Sequence, residues 1–486
     1  MGTITAPISR RSVLHGCMAI GATAALPASL AALIPDLSAG RPNPSDRRFS
    51  SAAIEAVIAA MKQQIADPVL SKMFEQCFPN TLDTTVFPET LEGMPDTFVI
   101  TGDINAMWLR DSSAQVWPYV QFAAKDPQLA ALLEGVIRRH ARMILIDPYA
   151  NAFTRTASDP PLPWAVDDVT HMTPGVAERK WEIDSLCHVV RLAYGYWQTT
   201  GSAAPFDAQW KAAAWAIVRT LREQQRLIGP GPYSFKRRTT TPSDTLPLNG
   251  YGNPARPVGM IFSMFRPSDD ACIYPLFVPA NHFAVQTLIK LRKMAIDLFS
   301  DTSLAAAANE ILTTLQPALA QHGMVQHPVF GRIWAYEVDG YGNALMMDDA
   351  GAPSLLSLPY LGSCETNDPT YQRTRRFAQS TDNPYFVKGT AAEGIGSPHA
   401  GLNSVWPLSL IMRALTSSDD REILQCLQWL RNTTAGTGFM HESFNQNDPS
   451  KFTRAWFAWA NTQFGELLLK IADQRPSLLK HRYADS

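Results

Sequence analysis

The feature that most constrains this 486-residue chain is the recurrence of apolar residues at spacings of three and four along most of its length. That spacing matches the turn of an α-helix, whereas the strict alternation of a half-buried strand is scarce. We therefore expect an all-α protein. The periodicity predicts helices over 52–65, 127–145, 184–199, 208–227, 281–299, 303–320, 402–415, 421–430 and 453–471.

The organisation around these helices is predicted to be simple. Two short stretches, 97–101 and 332–336, predict minor β-hairpins in loops. Residues 40–50 are rich in Pro, Ser, Gly and Arg and are predicted to be a linker. No shift in composition divides the chain afterwards, which favours one domain over 51–486. A closed double ring of helices would bury many helix faces together. An α-solenoid, disfavoured because no repeat period is visible, and two stacked bundles are the alternatives.

The first 39 residues have the composition of an export signal. Arg10 and Arg11 precede an uncharged stretch, 15–35, that is rich in Ala, Leu and Gly. Paired arginines before a modestly apolar segment are typical of twin-arginine signals. We expect export to a periplasm or beyond, without stable membrane insertion after processing. A retained membrane anchor, marginal because Pro27 interrupts the apolar stretch, and an amphipathic helix of a cytoplasmic protein are the alternatives.

Charge and cysteine usage exclude several classes of function. The net charge is −2 and there is no long run of Lys or Arg, which argues against binding to nucleic acid. No CxxC pair and no HExxH motif occur, so we predict neither a metal site nor a cofactor. Of the six cysteines only Cys17 lies in the predicted signal, which leaves an odd number. Most are expected to be buried free thiols.

Polar and aromatic residues cluster in the loop before one predicted helix. There, Trp108 is followed by Leu, Arg110 and Asp111. A guanidinium beside a carboxylate can hold two neighbouring sugar hydroxyls, and an indole can form the wall of such a site. Alternatively, Asp111 is the N-cap of a helix over 112–122 and Arg110 is its ion-pair partner.

Further loops repeat this mixture of acids, Arg, His and Trp near predicted helix starts. Asp184 is again a plausible helix cap, and adjacent acids at a helix start can simply complement the helix dipole. We interpret the loops as the lining of a sugar-binding cleft. The candidate binding residues in them are Glu182, Asp184, Arg266, Asn281, His399, Trp406 and His441.

Three carboxyls are the candidate catalytic groups: Asp269, Asp270 and Glu442. A buried Glu is rare without a functional reason, and Glu442 stands between Met440 and Phe444. Apolar neighbours raise the pKa of a carboxyl, which taken alone would make Glu442 a proton donor. Two adjacent aspartates can also raise the pKa of one another. The sequence around these three carboxyls therefore does not decide which is the acid and which is the base.

Taken in order, these blocks resemble glycoside hydrolase family 125, the exo-α-1,6-mannosidases with an (α/α)6 barrel, over about residues 50 to 475. The segment from Trp108 to Asp111 is also similar to the Trp-x-Arg-Asp element of glucoamylases, a related toroid. The resemblance implies an inverting, metal-independent hydrolysis of mannose-containing oligosaccharides or N-glycans. It implies that Glu442 is the base and that the acid is Asp269 or Asp270, without deciding between them.

Three other functions remain as alternatives. On the same fold, the chain would be a glucoamylase-like α-glucosidase, or a sugar phosphorylase in which phosphate replaces one carboxylate. In another class, it would be a helical glycan-binding protein without turnover. The presence of carboxylates in both blocks argues against a protein that only binds.

Overall fold

The computed structural model describes residues 40–484, and within that range the chain is mostly helical with small sheets. All nine predicted helices are present, so the prediction of a mainly helical fold is confirmed. The predicted export signal lies outside the described residues. In chain order, helices α1 to α13 span Ala52–Gln64, Pro68–Cys77, Asn80–Thr84, Leu109–Val116, Pro127–Ile146, Ile183–Thr200, Ala208–Glu223, Val278–Asp297, Thr302–His322, Pro369–Ala378, Pro407–Leu415, Asp420–Asn432 and Ala458–Gln474.

The strands are short and all their pairings are antiparallel. Strands β1 to β14 span Val86–Leu91, Met94–Val99, Met107–Trp108, Ala152–Phe153, Val176–Glu178, Leu276–Phe277, Met324–His327, Gly331–Trp334, Glu337–Val338, Ala344–Leu345, Phe386–Lys388, Glu393–Ile395, Ser404–Val405 and Phe444–Asn445. Hairpins β1–β2 and β7–β8 overlap the two predicted hairpins, and the other sheets are β3-β4-β5, β10-β9-β6, β11-β12 and β13-β14.

One set of helices, which we call the capped helices, begins at a short polar side chain. In each, the N-cap oxygen accepts a hydrogen bond from a backbone N–H of the first turn, which satisfies a donor that has no partner inside the helix. The capped helices are α1, α2, α5, α7, α9, α10 and α12, and their N-caps are Ser51, Asp67, Asp126, Asp207, Asp301, Asp368 and Asp419.

A second set, the uncapped helices, has no side-chain cap. Apart from the five-residue helix α3, whose N-cap position is Pro79, these are α4, α6, α8, α11 and α13, whose N-cap positions are Trp108, Glu182, Phe277, Trp406 and Phe457. They contact one another in the order α11, α13, α4, α6, α8, and the capped helices α5, α7 and α9 form a second contacting series. From α4 to α9 and from α10 to α13, the two sets alternate along the chain. Every residue of α4 is buried, as expected for a helix between other elements.

Two predicted helix starts near the candidate residues were wrong. The helix expected over 112–122 begins at Leu109 and ends at Val116, and the chain continues as a 3-10 helix to Lys125. Pro118 explains the change, because proline lacks an N–H and its ring clashes with the carbonyl four residues earlier. Asp111 and Asp184 are therefore not helix caps, and each lies in the first turn of its helix.

The predicted linker contacts the domain. Arg41 Nε donates to Asp83 Oδ2 at 2.7 Å, and Arg47 pairs with Glu55 of α1 at 3.1 Å. Between residues 40 and 484, no helix is both long and apolar enough to cross a membrane. In the same range the cysteines at 77, 187, 272, 364 and 426 are free thiols, and all but Cys364 are buried.

Candidate active site

Short sheets bring the starts of the uncapped helices together. In the sheet β3-β4-β5, Trp108 pairs with Ala152, and Ala152 pairs with Glu178. Strand β4 therefore joins the segment before α4 to the segment before α6. In the same way, Val405 pairs with Phe444, which places the start of α11 beside the strand that follows Glu442.

The blocks around residues 110, 182 and 269 converge on one buried guanidinium. Arg110 Nη1 donates to Glu182 Oε2 at 2.5 Å and to Asp184 Oδ2 at 3.1 Å. Its Nη2 donates to Asp269 Oδ1 at 3.3 Å, and its Nε lies 3.5 Å from Asp111 Oδ2. We call these five residues the Arg110 cluster. Residues that are far apart in sequence therefore form a single group of charges.

The Arg110 cluster contains more acids than bases. Burial raises the pKa of Glu182 to about 8, with Asp184 adding to the increase and Arg110 opposing it. Burial also raises the pKa of Asp184. A single guanidinium cannot neutralise four ionised carboxylates in a water-poor interior. Burial and the excess of acids therefore favour the protonated form of the Glu182–Asp184 pair.

Glu442 is buried and lies next to a second arginine. Its Oε1 accepts a hydrogen bond from Arg454 Nη1 at 3.4 Å, and its Oε2 accepts one from Thr453 Oγ1 at 3.2 Å. Arg454 also forms an ion pair with Asp103 and donates to the carbonyl of Thr101 at 3.4 Å. The contacts of Glu442 are therefore polar, although its neighbours in sequence are apolar. The guanidinium compensates the negative charge of this carboxylate.

Arg454 and Arg110 belong to one charged network. The pKa of Arg454 is raised, against the effect of burial, because Asp103, Glu442 and Asp111 all act on its guanidinium. Asp111 also lies beside Arg110, which in turn contacts Asp269. Electrostatic attraction between Arg454 and Asp111 therefore links the Glu442–Arg454 pair to the Arg110 cluster, which contains Asp269.

Asp269 and Asp270 lie in a tight buried turn. The backbone N–H of Asp269 donates to the Arg266 carbonyl, and that of Arg266 donates to the Asp270 carbonyl, both at 2.8 Å. Asp269 has a φ of 65°, a left-handed conformation that is uncommon outside glycine. Arg266 Nε donates to Glu337 Oε1 at 2.6 Å, so this arginine, predicted to bind sugar, anchors the turn.

Asn281, also predicted to bind sugar, has a structural role instead. Its side-chain nitrogen donates to the carbonyls of Ile261 and Phe277, and its oxygen accepts the N–H of Ile261 at 2.7 Å. Three backbone bonds account for most of its hydrogen-bonding capacity. Asn281 fixes the start of α8, and we do not include it in the site.

The two predicted histidines lie in different surroundings. The ring of His399 lies 6.3 Å from that of Trp406, the residue before α11, and both are buried. His441 Nδ1 lies 2.8 Å from the Arg454 carbonyl, and its ring stacks on Phe452 at 3.9 Å. Burial lowers the pKa of His441, which favours the neutral imidazole. His441 therefore positions the backbone of Arg454.

Trp108 is buried in a small apolar cluster with Leu162 and Trp164, separate from the main core. It stands at the N-cap position of α4, two residues before Arg110. Its role as one wall of the site stays a prediction.

Sequence reasoning missed three residues that organise the site: Asp103, Arg454 and Glu337. Arg454 had a detectable signal, because it lies beside Trp456 just before a helix, as Arg110 lies beside Trp108. Glu337 had no such signal, because no residue near it in sequence indicates that it pairs with Arg266. Across residues 40–484, no group of three or more His, Cys, Asp or Glu side chains is arranged to hold a metal ion.

Comparisons with known proteins agree with this geometry. The sequence profile of the metal-independent α-mannosidases of glycoside hydrolase family 125 matches residues 67–469. The meiotically up-regulated gene 157 protein of Schizosaccharomyces pombe is 43% identical over 461 residues, which cover 90% of this chain and 89% of the yeast protein.

A solved structure is also similar. It is a Streptococcus pneumoniae protein, described as one of the metal-independent α-mannosidases, in a non-productive complex with α-1,6-mannobiose. The two share 39% identity with a TM-score of 0.84, over 88% of this chain and all of the streptococcal one. The predicted family resemblance is confirmed. This chain belongs to glycoside hydrolase family 125, the metal-independent α-mannosidases.

Proposed function

We propose that this α-mannosidase is an inverting exo-enzyme that hydrolyses terminal α-1,6-linked mannose from oligosaccharides or N-glycans. The observation that carries the proposal is the pair of buried ion-pair groups at the starts of the uncapped helices, Glu442 with Arg454 and Asp269 with Arg110, which attract each other through Asp111. Glycoside hydrolysis needs two carboxyl groups on opposite sides of one sugar. The network supplies candidates for both.

In the proposed mechanism, Glu442 is the general base. It removes a proton from a water molecule, which attacks the anomeric carbon from the face opposite the departing sugar. Asp269 or Asp270 donates a proton to the glycosidic oxygen as its bond to the anomeric carbon breaks. Inversion requires a separation of about 6.5–9.5 Å between the two carboxyls, which leaves room for the water.

The terminal mannose is proposed to lie between the two halves of the network. Arg110 and Asp111 are suited to neighbouring hydroxyls, because a guanidinium donates and a carboxylate accepts in fixed directions. Trp108 supplies an apolar surface for a sugar ring. Glu182, Asp184, His399 and Trp406 are proposed as further parts of the same pocket, since all are buried at the starts of α6 and α11.

The arrangement of helices supports an (α/α)6 barrel as the scaffold. In such a barrel, consecutive helices alternate between an inner and an outer ring. The uncapped helices contact one another in sequence, and capped helices separate them along the chain. We propose that the uncapped helices belong to the inner ring, and that residues 51–486 form one catalytic domain.

Comparison of α-1,6-mannobiose with isomaltose tests the substrate assignment. The streptococcal relative was studied with α-1,6-mannobiose, and we expect this chain to release mannose from that disaccharide. Chelators should not reduce the rate. Glucose release from isomaltose alone would favour the α-glucosidase alternative, and dependence on phosphate would favour a phosphorylase. If the chain binds mannobiose but releases no mannose, the alternative of a glycan-binding protein without turnover is favoured.

We also propose export through the twin-arginine signal at residues 1–39. Arg10→Lys/Arg11→Lys should leave the protein in the cytoplasm of a bacterial host that has the twin-arginine pathway. Unchanged export of this variant would contradict the proposal.

A further inference from the structure

A buried lysine contacts the turn that carries the two candidate acids. Lys180 is 1% exposed, and its Nζ donates to the backbone carbonyl of Asp269 and to Asp244 Oδ1, both at 2.8 Å. The ammonium also lies 4.9 Å from the centre of the Phe265 ring. Burying a lysine is costly unless its charge is compensated, and here a carboxylate and a carbonyl both compensate it.

The carbonyl that accepts the hydrogen bond from Lys180 lies between the two candidate acids. It belongs to the peptide that joins Asp269 to Asp270, so its orientation constrains the backbone of both residues. Asp269 has a φ of 65°, a left-handed conformation that residues other than glycine seldom adopt. Such a conformation persists only where surrounding contacts enforce it. A charged hydrogen bond from Lys180 to this carbonyl is a contact of that kind.

The lysine is itself held in place. Its backbone N–H donates to Asn151 Oδ1 at 3.0 Å. The pKa of Asp244 is lowered, against the effect of burial, because Lys180 and Arg237 both face it. Asp244 is therefore ionised at neutral pH and keeps the ammonium directed at the turn. On another side of the turn, Ser268 Oγ donates to Asp349 Oδ2 at 2.7 Å.

We propose that Lys180 is a positioning residue for the general acid: it fixes the peptide between Asp269 and Asp270 so that the acid points at the glycosidic oxygen. The inference rests on the proposed function, but it does not depend on which aspartate donates the proton. Lys180 itself contacts neither the substrate nor the reacting atoms in this account.

The leaving group of the substrate provides the test. Departure of a sugar alcohol requires protonation, whereas departure of 2,4-dinitrophenolate does not. We expect Lys180→Met to lower kcat on α-1,6-mannobiose about 100-fold, the lower end of the range for a misplaced general acid. On 2,4-dinitrophenyl α-mannoside the same variant should retain roughly a third of its activity or more, since departure of this leaving group needs no general acid.

Lys470→Met is the matched control. Lys470 Nζ also donates to a backbone carbonyl, that of Leu415, at 2.7 Å, but at the end of α11 rather than in the acid turn. Lys470→Met should leave the activities on α-1,6-mannobiose and on 2,4-dinitrophenyl α-mannoside unchanged. If Lys180→Met does not fold, the double variant Lys180→Met/Asp244→Asn removes both members of the ion pair and is measured in the same way.

Equal losses on the two substrates would mean that Lys180 only stabilises the fold, and would overturn the proposal. Unchanged turnover of mannobiose would overturn it as well. Wild-type turnover of α-1,6-mannobiose is measured separately and tests the proposed function itself, so the two failures are distinguishable.

Discussion

The capped and uncapped helices differ in what their first residues contribute. Each capped helix begins at Ser or Asp, and that side chain bonds to its own helix. The uncapped helices begin at Trp, Phe or Glu, and their starts and preceding loops contain every candidate catalytic and binding residue. None of those candidates comes from a capped helix.

This contrast shows how one type of element serves two purposes. A Ser or Asp cap satisfies a backbone donor and stabilises the helix, but the same side chain is then unavailable for other contacts. At an uncapped start, Arg and acidic side chains point into a shared network. The partial positive charge of the helix end also stabilises acids such as Asp111 and Asp184 in the first turn. We therefore expect substitutions in the two sets to affect different properties.

The largest expected effect is on turnover. Glu442→Gln should lower kcat by about three orders of magnitude or more, because the amide cannot remove a proton from water. The folded state should remain intact, since the amide is nearly isosteric. Steady-state kinetics on α-1,6-mannobiose measure kcat, and circular dichroism measures the folded state. The control is Asp419→Asn, which keeps a capping side chain on α12 and should leave kcat unchanged. Normal turnover in the Glu442 variant would contradict the base assignment.

A smaller effect is expected when the partner of Glu442 is removed. Arg454→Met deletes a buried charged hydrogen bond worth about 1.5–3 kcal/mol, so kcat/KM should fall roughly ten- to hundred-fold. Arg222→Met removes a surface ion pair between α7 and Glu310 of α9, and it should leave kcat/KM unchanged. Equal changes in kcat/KM for the two variants would contradict the distinction between the two sets of helices.

The third effect concerns stability as a function of pH. The pKa of Glu182 rises from an ordinary value of 4.5 to about 8 in the folded protein, mainly because of burial. The folded state then binds more protons, so the stability due to Glu182 is fully present below pH 4.5 and is lost as the pH rises through 8. Glu182→Gln should make Tm fall less between pH 5 and 8. An unchanged slope in thermal melts, with Glu310→Gln as the surface control, would contradict this assignment.

The smallest effect is expected at a capped helix. Asp419 Oδ1 accepts the N–H of Arg421 at 2.9 Å. Asp419→Ala removes that bond and should lower the free energy of unfolding by about 1 kcal/mol, without a change in kcat. Denaturant unfolding and steady-state kinetics measure the two quantities. A loss of activity greater than the loss of folded protein would show that capped helices also shape the site.

The sequence predicted the longer helices well, because each shows the helical period over several turns. It located α5, α7 and α9 within a few residues except at the C-terminal end of α7. The capped helices α2 and α10, each of ten residues, were not predicted. Among the predicted helices, the largest errors at a helix start fall in the uncapped set. Helices predicted from 402 and 453 begin at Pro407 and Ala458, because strand pairing and site contacts occupy the preceding residues. Periodicity carries no information about such contacts.

The site was only partly predictable for the same reason. Arg110, Asp111 and Glu442 could be proposed from sequence because unusual residues are adjacent there or stand among apolar neighbours, and their roles stay predictions. The anchoring of Arg266 by Glu337 joins residues that are distant in sequence, so no local pattern revealed it. Asn281 was misassigned because an amide that binds backbone and an amide that binds sugar have the same sequence signature.

The stereochemistry of the first product tests the central claim most directly. If Glu442 activates water on the face opposite the acid, hydrolysis of α-1,6-mannobiose releases β-mannose first. Proton NMR in the first minutes, before mutarotation, should show the β-anomer growing ahead of the α-anomer. Initial release of α-mannose would mean that the two carboxyls work by retention, and it would contradict the roles proposed for Glu442 and the Asp269–Asp270 pair.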